Sequence, residues 1–262
     1  MTALAWAPVA ERVQPSLDRF EPVDLDTLVS SASLQTRVDR KYLLRPETFE
    51  QLLTSLGDRA RVLEIEGRRS FGYESVYFDT PDLTAYRAAA HSRRRRFKVR
   101  TRTYLDSGEC VLEVKTSSGR GETVKERREH DLAHRDRLDA DATAFVRQRI
   151  TADSTDIADQ LGPVLTTTYA RSTLLDRDLG FRMTCDVGLV CAGRDGSTLA
   201  VDDHVLVETK SAGPACLPDR LLWASGCRPV TISKYCVGLA ALHPGLPANK
   251  WHRTLQRHLG AR

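Results

Sequence analysis

The spacing of hydrophobic and polar positions changes along the chain, and each change marks an element. Residues 1–33 keep no steady period and carry Pro and small polar residues; they read as a loose leader with a short helix near Val23–Val29. "LQTRVDRKYLL" alternates as a strand, ended by Pro46. "PETFEQLLTSLG" places Phe49, Leu52, Leu53 and Leu56 at helical spacing between Pro46 and Gly57, which predicts a short amphipathic helix. "YESVYFDT" is a strand stopped by "TPD", and "PDLTAYRAAAH" is a short helix or turn. Strand-like segments at 95–105, 109–116 and 122–130 follow, parted by the turn signals "DSG" and "SSGRG"; this predicts an antiparallel meander. "DATAFVRQRI" and "TDIADQLG" suggest helices, "VLTTTYARSTLLD" and "LGFRMTCDVGLVC" a strand pair, and "HVLVETKS" a further strand. "PDRLLWASG", "KYCVGLAALHP" and "KWHRTLQRHLGAR" read as helices. About eight strands with helices between and after them make an α+β fold dominated by antiparallel sheet. With no repeat and no long linker, one domain over 34–245 is expected, with a C-terminal helix, 246–262, packed on it.

Successive side chains of a strand point to opposite faces. In "RRRRFKVRTRTY" this sets Arg96, Lys98, Arg100 and Arg102 on one face and Phe97, Val99, Thr101 and Thr103 on the other. Glu109, Val111, Glu113 and Lys115 share a face opposite Cys110, Leu112 and Val114. Lys125 joins Arg127 and Glu129; Arg37 joins Asp39 and Lys41; Arg182 joins Thr184 and Asp186; Glu208 joins Lys210. Any one such strand is well explained as a half-exposed sheet with charges in water. Repeated over consecutive strands, the pattern says more: if the sheet curls, its charged faces line one cavity. Such a cavity needs acids or a polyanionic ligand to offset it.

Composition narrows the choice. Hydrophobic content is 41% and charged content 28%, and 39 basic residues stand against 35 acidic ones, so the basic character is local. Of those 39, only seven are lysines, and Lys41, Lys98, Lys115, Lys125, Lys210 and Lys234 all fall in the charged strands or the "SKY" segment; Lys250 alone lies outside. Arg offers forked donors and Lys a point charge to phosphate oxygens. A carboxylate such as Glu208 in the same lining suits Mg²⁺ or Mn²⁺. The aromatic content of 6%, with Phe97 facing away from the charges, argues against nucleic acid, which single-strand binders hold on interleaved aromatic platforms. No apolar run reaches the roughly 20 residues of a membrane span, and the start of the chain lacks the charged and apolar regions of a secretion signal. The six scattered cysteines form no CxxC pair, which argues against zinc and for a reducing, cytoplasmic setting, although their even number leaves disulfides open.

Nine segments in order resemble the VTC domain of polyphosphate polymerases, within the CYTH-like triphosphate tunnel superfamily: "TRVDRKYLL", "SVYFDTPDLTAY", "KVRTRTY", "CVLEVKT", "TVKERRE", "TYARSTLLD", "FRMTCDVGL", "VLVETKS" and "SKYCVG", from about Leu34 to Gly238. The resemblance implies an antiparallel barrel enclosing a basic tunnel that binds triphosphate and polyphosphate with a divalent metal, Mn²⁺ or Mg²⁺. It implies transfer of the ATP γ-phosphoryl group to a growing polyphosphate chain. Carried over, the catalytic set is Lys41, Arg100, Arg102, Lys115, Lys125, Arg171 and Lys234, and the metal carboxylate is Glu208. Lys98, Arg127, Arg182 and Lys210 are further lining residues, with Glu113 and Asp186 as additional metal candidates. The hydrolases of the superfamily carry ExExK on the first strand, where this chain reads Arg37-x-Asp39-x-Lys41. That departure leans away from a triphosphatase. The triphosphatase remains one alternative, and a non-catalytic module for polyphosphate or inositol phosphates is another. A membrane partner encoded elsewhere stays open. Arg93, Arg94 and Arg95 have no assigned role beyond steering polyanions toward the site.

Overall fold

The computed structural model describes residues 13–30, 38–118, 123–150, 157–213 and 215–259. Its strands are β1 (Glu21–Val23), β2 (Val38–Leu44), β3 (Ala60–Leu63), β4 (Phe71–Asp79), β5 (Arg96–Tyr104), β6 (Cys110–Ser117), β7 (Thr123–Glu129), β8 (Gly162–Asp176), β9 (Arg182–Gly193), β10 (Thr198–Val201) and β11 (Val205–Ser211). After a helical stretch at 13–17, the helices are α1 (Leu25–Ser30), α2 (Pro46–Leu56), α3 (Thr84–Ala90), α4 (Ala140–Arg147), α5 (Leu217–Ala224), α6 (Lys234–Leu242) and α7 (His252–His258). The α+β class with mainly antiparallel strands is as the sequence predicts. The eleven strands exceed the expected eight because β1, β3 and β10 are only three or four residues long, too short for alternation to register. The helix expected over "TDIADQLG" is described only at 157–160, where it is a 3₁₀ turn. Arg37 and most of the "SSGRG" turn lie outside the described residues.

The chain divides into two compact units. The first combines Met1–Gly72, Tyr169–Val190 and Ala200–Thr231. Its strands run β2–β11–β9–β8, with β3 on β8 and β1 parallel to β3. One face of these strands builds a core of Tyr42, Leu44, Met183, Cys185, Val205 and Val207 against Phe49, Leu52, Leu53 and Leu56 of α2. That helix follows its sequence signals: Pro46 opens it, where a missing N–H costs nothing, and Gly57 closes it at φ +53°, a region that disfavours any side chain. Asp39 and Lys41 of β2, Arg182 and Asp186 of β9, and Glu208 and Lys210 of β11 are left on the other face, while Arg40 shares the face of Tyr42 and pairs with the buried Asp219 at 3.2 Å.

The second unit combines Tyr73–Thr168, Cys191–Leu199 and Ile232–Arg262, with the strand order β4–β5–β6–β7. Val76, Phe78, Val99, Leu112 and Val114 pack on Ala142 and Val146 of α4, with Phe97 beside them. The opposite face carries Lys98, Arg100, Arg102, Lys115, Lys125 and Arg127, while Arg128 lies on the helix side, over Phe145. Trp251, just before α7, is buried and meets Tyr86 of α3 at 5.7 Å between ring centroids. Among the described residues β2 pairs with β11 and β7 with β6.

Candidate functional site

The register of the second unit turns the charges into rows. Lys98, Lys115 and Lys125 are direct cross-strand neighbours on β5, β6 and β7, and Arg100, Glu113 and Arg127 form the next row. Like charges set directly opposite destabilise a sheet, so a row of three lysines needs an anion. Glu113 supplies one. Its side chain is only 3% exposed. Arg100 Nε donates to its Oε2 at 2.6 Å, Arg102 Nη2 lies 3.8 Å from the same oxygen, and Lys125 pairs with Oε1. Burial alone would raise the Glu113 pKa; the Arg100, Arg102 and Lys125 cations outweigh it and hold the group well below the usual carboxylate range. For Lys125 burial dominates, and the attraction of Glu113 offsets it only in part, so its pKa falls to about 8.

β4 completes this face, which the sequence reading missed. Tyr77 is opposite Arg100, Ser75 opposite Arg102 and Tyr73 opposite Tyr104. Tyr77 Oη accepts from Arg100 Nη1 at 3.1 Å, and its ring stacks on Tyr235 at 5.1 Å. Tyr235 donates its hydroxyl to Asp79, whose carboxylate also accepts from the N–H groups of Thr80, Ala85 and Tyr86. Lys98 Nζ donates to Ser233 Oγ at 2.7 Å and lies over the Tyr235 ring. Lys234 is half-buried and starts α6 between these two residues. The missed signal was the alternation Tyr73, Ser75, Tyr77, Asp79 in "YESVYFD".

The first unit holds a second cluster. Glu208 of β11 is flanked by Lys41 on β2 and Thr184 on β9, and Lys210 by Asp39 and Arg182. Lys210 Nζ lies 2.6 Å and Lys41 Nζ 3.4 Å from the Glu208 carboxylate. Burial pushes the Glu208 pKa up, but Lys41 and Lys210, with Arg171 beyond them, hold it well below the usual range. Arg171 of β8 forks onto Asp186, Nε to Oδ1 at 2.6 Å and Nη2 to Oδ2 at 2.9 Å. Asp186 and Glu113 are thus each committed to guanidinium groups.

Both clusters contain buried polar atoms that find no partner: Ser75 Oγ and Arg102 Nε in the second unit, Thr184 Oγ1 in the first. Leaving such groups unmade costs about 1–3 kcal/mol each, which a ligand bearing acceptors on these faces would recover. Of the residues expected at a site, the structure gathers Lys98, Arg100, Arg102, Lys115, Lys125 and Arg127 around Glu113, and Lys41, Arg182 and Lys210 around Glu208. Among the described residues no group of three or more His, Cys, Asp or Glu is placed to hold a metal. No helix among them is long and apolar enough to cross a membrane, and all six cysteines are unpaired.

No protein of curated function matches the chain. Two solved structures are similar at the level of the trace. One is a candidate adenylate cyclase from Vibrio parahaemolyticus, at 14% identity over 79% of this chain and 99% of its own, TM-score 0.45. The other is a candidate adenylyl cyclase from Hippeastrum, described with a dominant triphosphatase activity, at 15% identity over 78% of this chain and 96% of its own, TM-score 0.44. The sequence pattern of the VTC domain matches residues 36–243, most of the chain and nearly the span of the nine segments. The chain belongs to the VTC domain family.

Proposed function

We propose that this chain is a divalent-metal-dependent phosphotransferase that moves the γ-phosphoryl group of ATP to the end of a growing polyphosphate chain. The observation that carries the reading is Glu113: a buried carboxylate held by Arg100, Arg102 and Lys125, beside donors that have no partner. This is the charge and donor pattern a run of phosphate oxygens would satisfy. The VTC membership supports the same substrate class.

In this reading Arg100, Arg102, Lys115 and Lys125 hold phosphate oxygens, with Lys98 and Arg127 beside them. Lys41, Arg171 and Lys234 stabilise charge on the transferred group and the acceptor end, and Arg182 and Lys210 add to the lining. The acceptor's terminal oxygen bonds to the γ-phosphorus as the bond to the β–γ bridging oxygen breaks, and ADP leaves. The acceptor oxygen is already anionic, so no general base is required, and catalysis rests on positioning and charge neutralisation.

Glu208 fits a metal of one kind. It is a single ionised carboxylate, 17% exposed, with the unpartnered Thr184 hydroxyl as its cross-strand neighbour. That donor set is too small for an all-protein cage. It suits Mg²⁺ or Mn²⁺, which keep waters and phosphate oxygens and need one or two carboxylates. When bound, such an ion withdraws charge from the phosphates. For Glu208 to hold such an ion, Lys41 and Lys210, which now pair with it, would have to turn away. The unpaired cysteines accord with a cytoplasmic setting.

The test incubates purified protein with ATP and Mn²⁺ or Mg²⁺ and resolves the products. ADP with long polyphosphate is expected. Orthophosphate alone would make the protein a triphosphatase, and tight polyphosphate binding without turnover would make it a binding module. Full activity in Glu208→Gln would remove the metal role of Glu208.

A further inference from the structure

We propose that Lys125 is an acylation site for acyl phosphates: the second unit's cationic face seats the phosphate group, and the Lys125 amine takes the acyl group. The inference rests on the phosphate-binding reading above and adds a way of switching that face off.

Three cations converge on Glu113, and they differ in how open they are. The side chains of Arg100 and Arg102 are 20% and 11% exposed, while that of Lys125 is 43% exposed. Every residue of β7 is exposed, so Lys125 reaches the cluster from its open side. Its pairing with Glu113 Oε1 fixes where Nζ lies, at the carboxylate that Arg100 and Arg102 also face. A guanidinium forks onto phosphate oxygens but does not give up its proton. Of the three groups, only Lys125 can serve as a nucleophile.

The surroundings of Lys125 favour the neutral amine. Arg100 and Arg102 face it from β5, Glu113 and the cross-strand Lys115 from β6, and Arg127 follows it along the same face of β7. Burial, helped by the two guanidinium groups, disfavours the ammonium more than Glu113 favours it, and the pKa falls to about 8. At pH 8 about half of the amine is then neutral, against well under about 1% for an ordinary lysine.

An acyl phosphate brings a phosphate for the arginines and an electrophilic carbonyl carbon that shares one oxygen with it. Neutral Nζ attacks that carbon. The N–C bond forms, the C–O bond to the phosphate breaks, orthophosphate leaves with the electron pair, and the amine proton passes to water. The resulting amide is uncharged. It removes one cation from the face and one partner from Glu113, so phosphate chains bind the acylated protein more weakly.

The full chain is treated with acetyl phosphate at pH 8. Labelling of each lysine is followed by mass spectrometry, and tripolyphosphate affinity is measured by calorimetry before and after. Lys125 is expected to be acetylated at least about tenfold faster than Lys250, which is exposed but lies outside the charged strands. The N-hydroxysuccinimide ester of acetate, which offers no phosphate, is expected to show a smaller preference. Saturating tripolyphosphate is expected to protect Lys125 and leave Lys250 unchanged. The acetylated protein should bind tripolyphosphate roughly tenfold more weakly, whereas treated Lys125→Arg, with its folding checked by a thermal melt, should keep its affinity. Labelling that favours Lys115 or Lys250, equal preference under the two reagents, or an equal loss of affinity in treated Lys125→Arg overturns the proposal while the phosphate reading stands. If the untreated chain does not bind tripolyphosphate, both readings fall together.

Discussion

Glu113→Gln tests the electrostatic account most directly, because it removes one charge and almost no volume. The native carboxylate is 3% exposed and faces Arg100, Arg102 and Lys125, whose side chains are 20%, 11% and 43% exposed. Removing one partner of a buried pair costs about 3–5 kcal/mol, most of it from charge left uncompensated. Lys125 is open enough to turn to water, so the lower figure, about 3 kcal/mol, is the better expectation. In a chain of this size that is a fall in Tm of roughly 6–12 °C.

The second half of the prediction separates a structural ion pair from a stand-in for substrate. If Glu113 occupies cations that phosphate would otherwise use, its removal frees them. Tripolyphosphate should then bind the variant about tenfold more tightly, which is about 1.4 kcal/mol. Since ligand binding to the folded state adds directly to stability, saturating tripolyphosphate should narrow the Tm gap between variant and wild type by roughly 3–6 °C. The assay is a melt series with and without the ligand, with Glu74→Gln as control. Glu74 pairs with the exposed Arg135, a contact worth no more than about 1 kcal/mol. A Glu113→Gln protein that melts with wild type would refute the buried-pair argument. A gap that stays constant or widens with ligand would refute the stand-in argument.

Three further outcomes follow from the same structure. Because the Lys125 pKa lies at about 8, tripolyphosphate affinity should fall as pH rises past that value, by about tenfold per pH unit at most; Lys125→Arg should remove the inflection from the binding curve. The sign for stability is the reverse: between about pH 8 and the ordinary lysine value the unfolded chain binds more protons, so this group makes the fold more stable as pH rises. At the acid end, Glu113 and Glu208 both have folded pKa values below their unfolded ones. Their contribution is complete above about pH 4.5 and is lost as pH falls below it, and in melts from pH 6 to 3 Glu113→Gln should lose less than wild type. Gly238→Ala should destabilise by about 1–3 kcal/mol despite the better helix propensity of Ala, since a Cβ there would stand 2.9 Å from Cys191 Sγ; in urea melts the loss should shrink in a Cys191→Ala background.

Much of this was legible in the sequence, and what was legible follows from period. Alternation in "RFKVRTRTY" fixes which side chains share a face whatever the strand pairs with, and the packing of Val99 on α4 is that alternation seen from its apolar side. Register is different. That Lys98, Lys115 and Lys125 form one row depends on two turns, one of them largely outside the described residues, and a one-residue slip would have set them on opposite faces. Tyr73, Ser75 and Tyr77 alternate in "YESVYFD" but pointed to no chemistry, for a third reason. They carry no charge, and only the pairing of β4 with β5 gives them a role. Tyr235, more than 150 residues from its partner Asp79, is closed to any local reading.

The acids in these faces bear on selectivity as well as stability. The family resemblance offers Glu113 and Asp186 as metal candidates, but each is engaged by basic side chains, three around Glu113 and the Arg171 fork on Asp186. An incoming anion competes with these internal carboxylates, and it gains only what it offers beyond them. A single phosphate offers about the charge of one carboxylate or two, and it pays the full loss of translational freedom. A triphosphate presents several linked phosphates, so its later contacts are intramolecular and that loss falls only once. The same buried acids that make an empty cationic face tolerable therefore bias it toward chains of phosphates over orthophosphate. The uncharged donors, Ser75 Oγ and Thr184 Oγ1, have no internal competitor and add affinity without adding to the repulsion that Glu113 and Glu208 must offset.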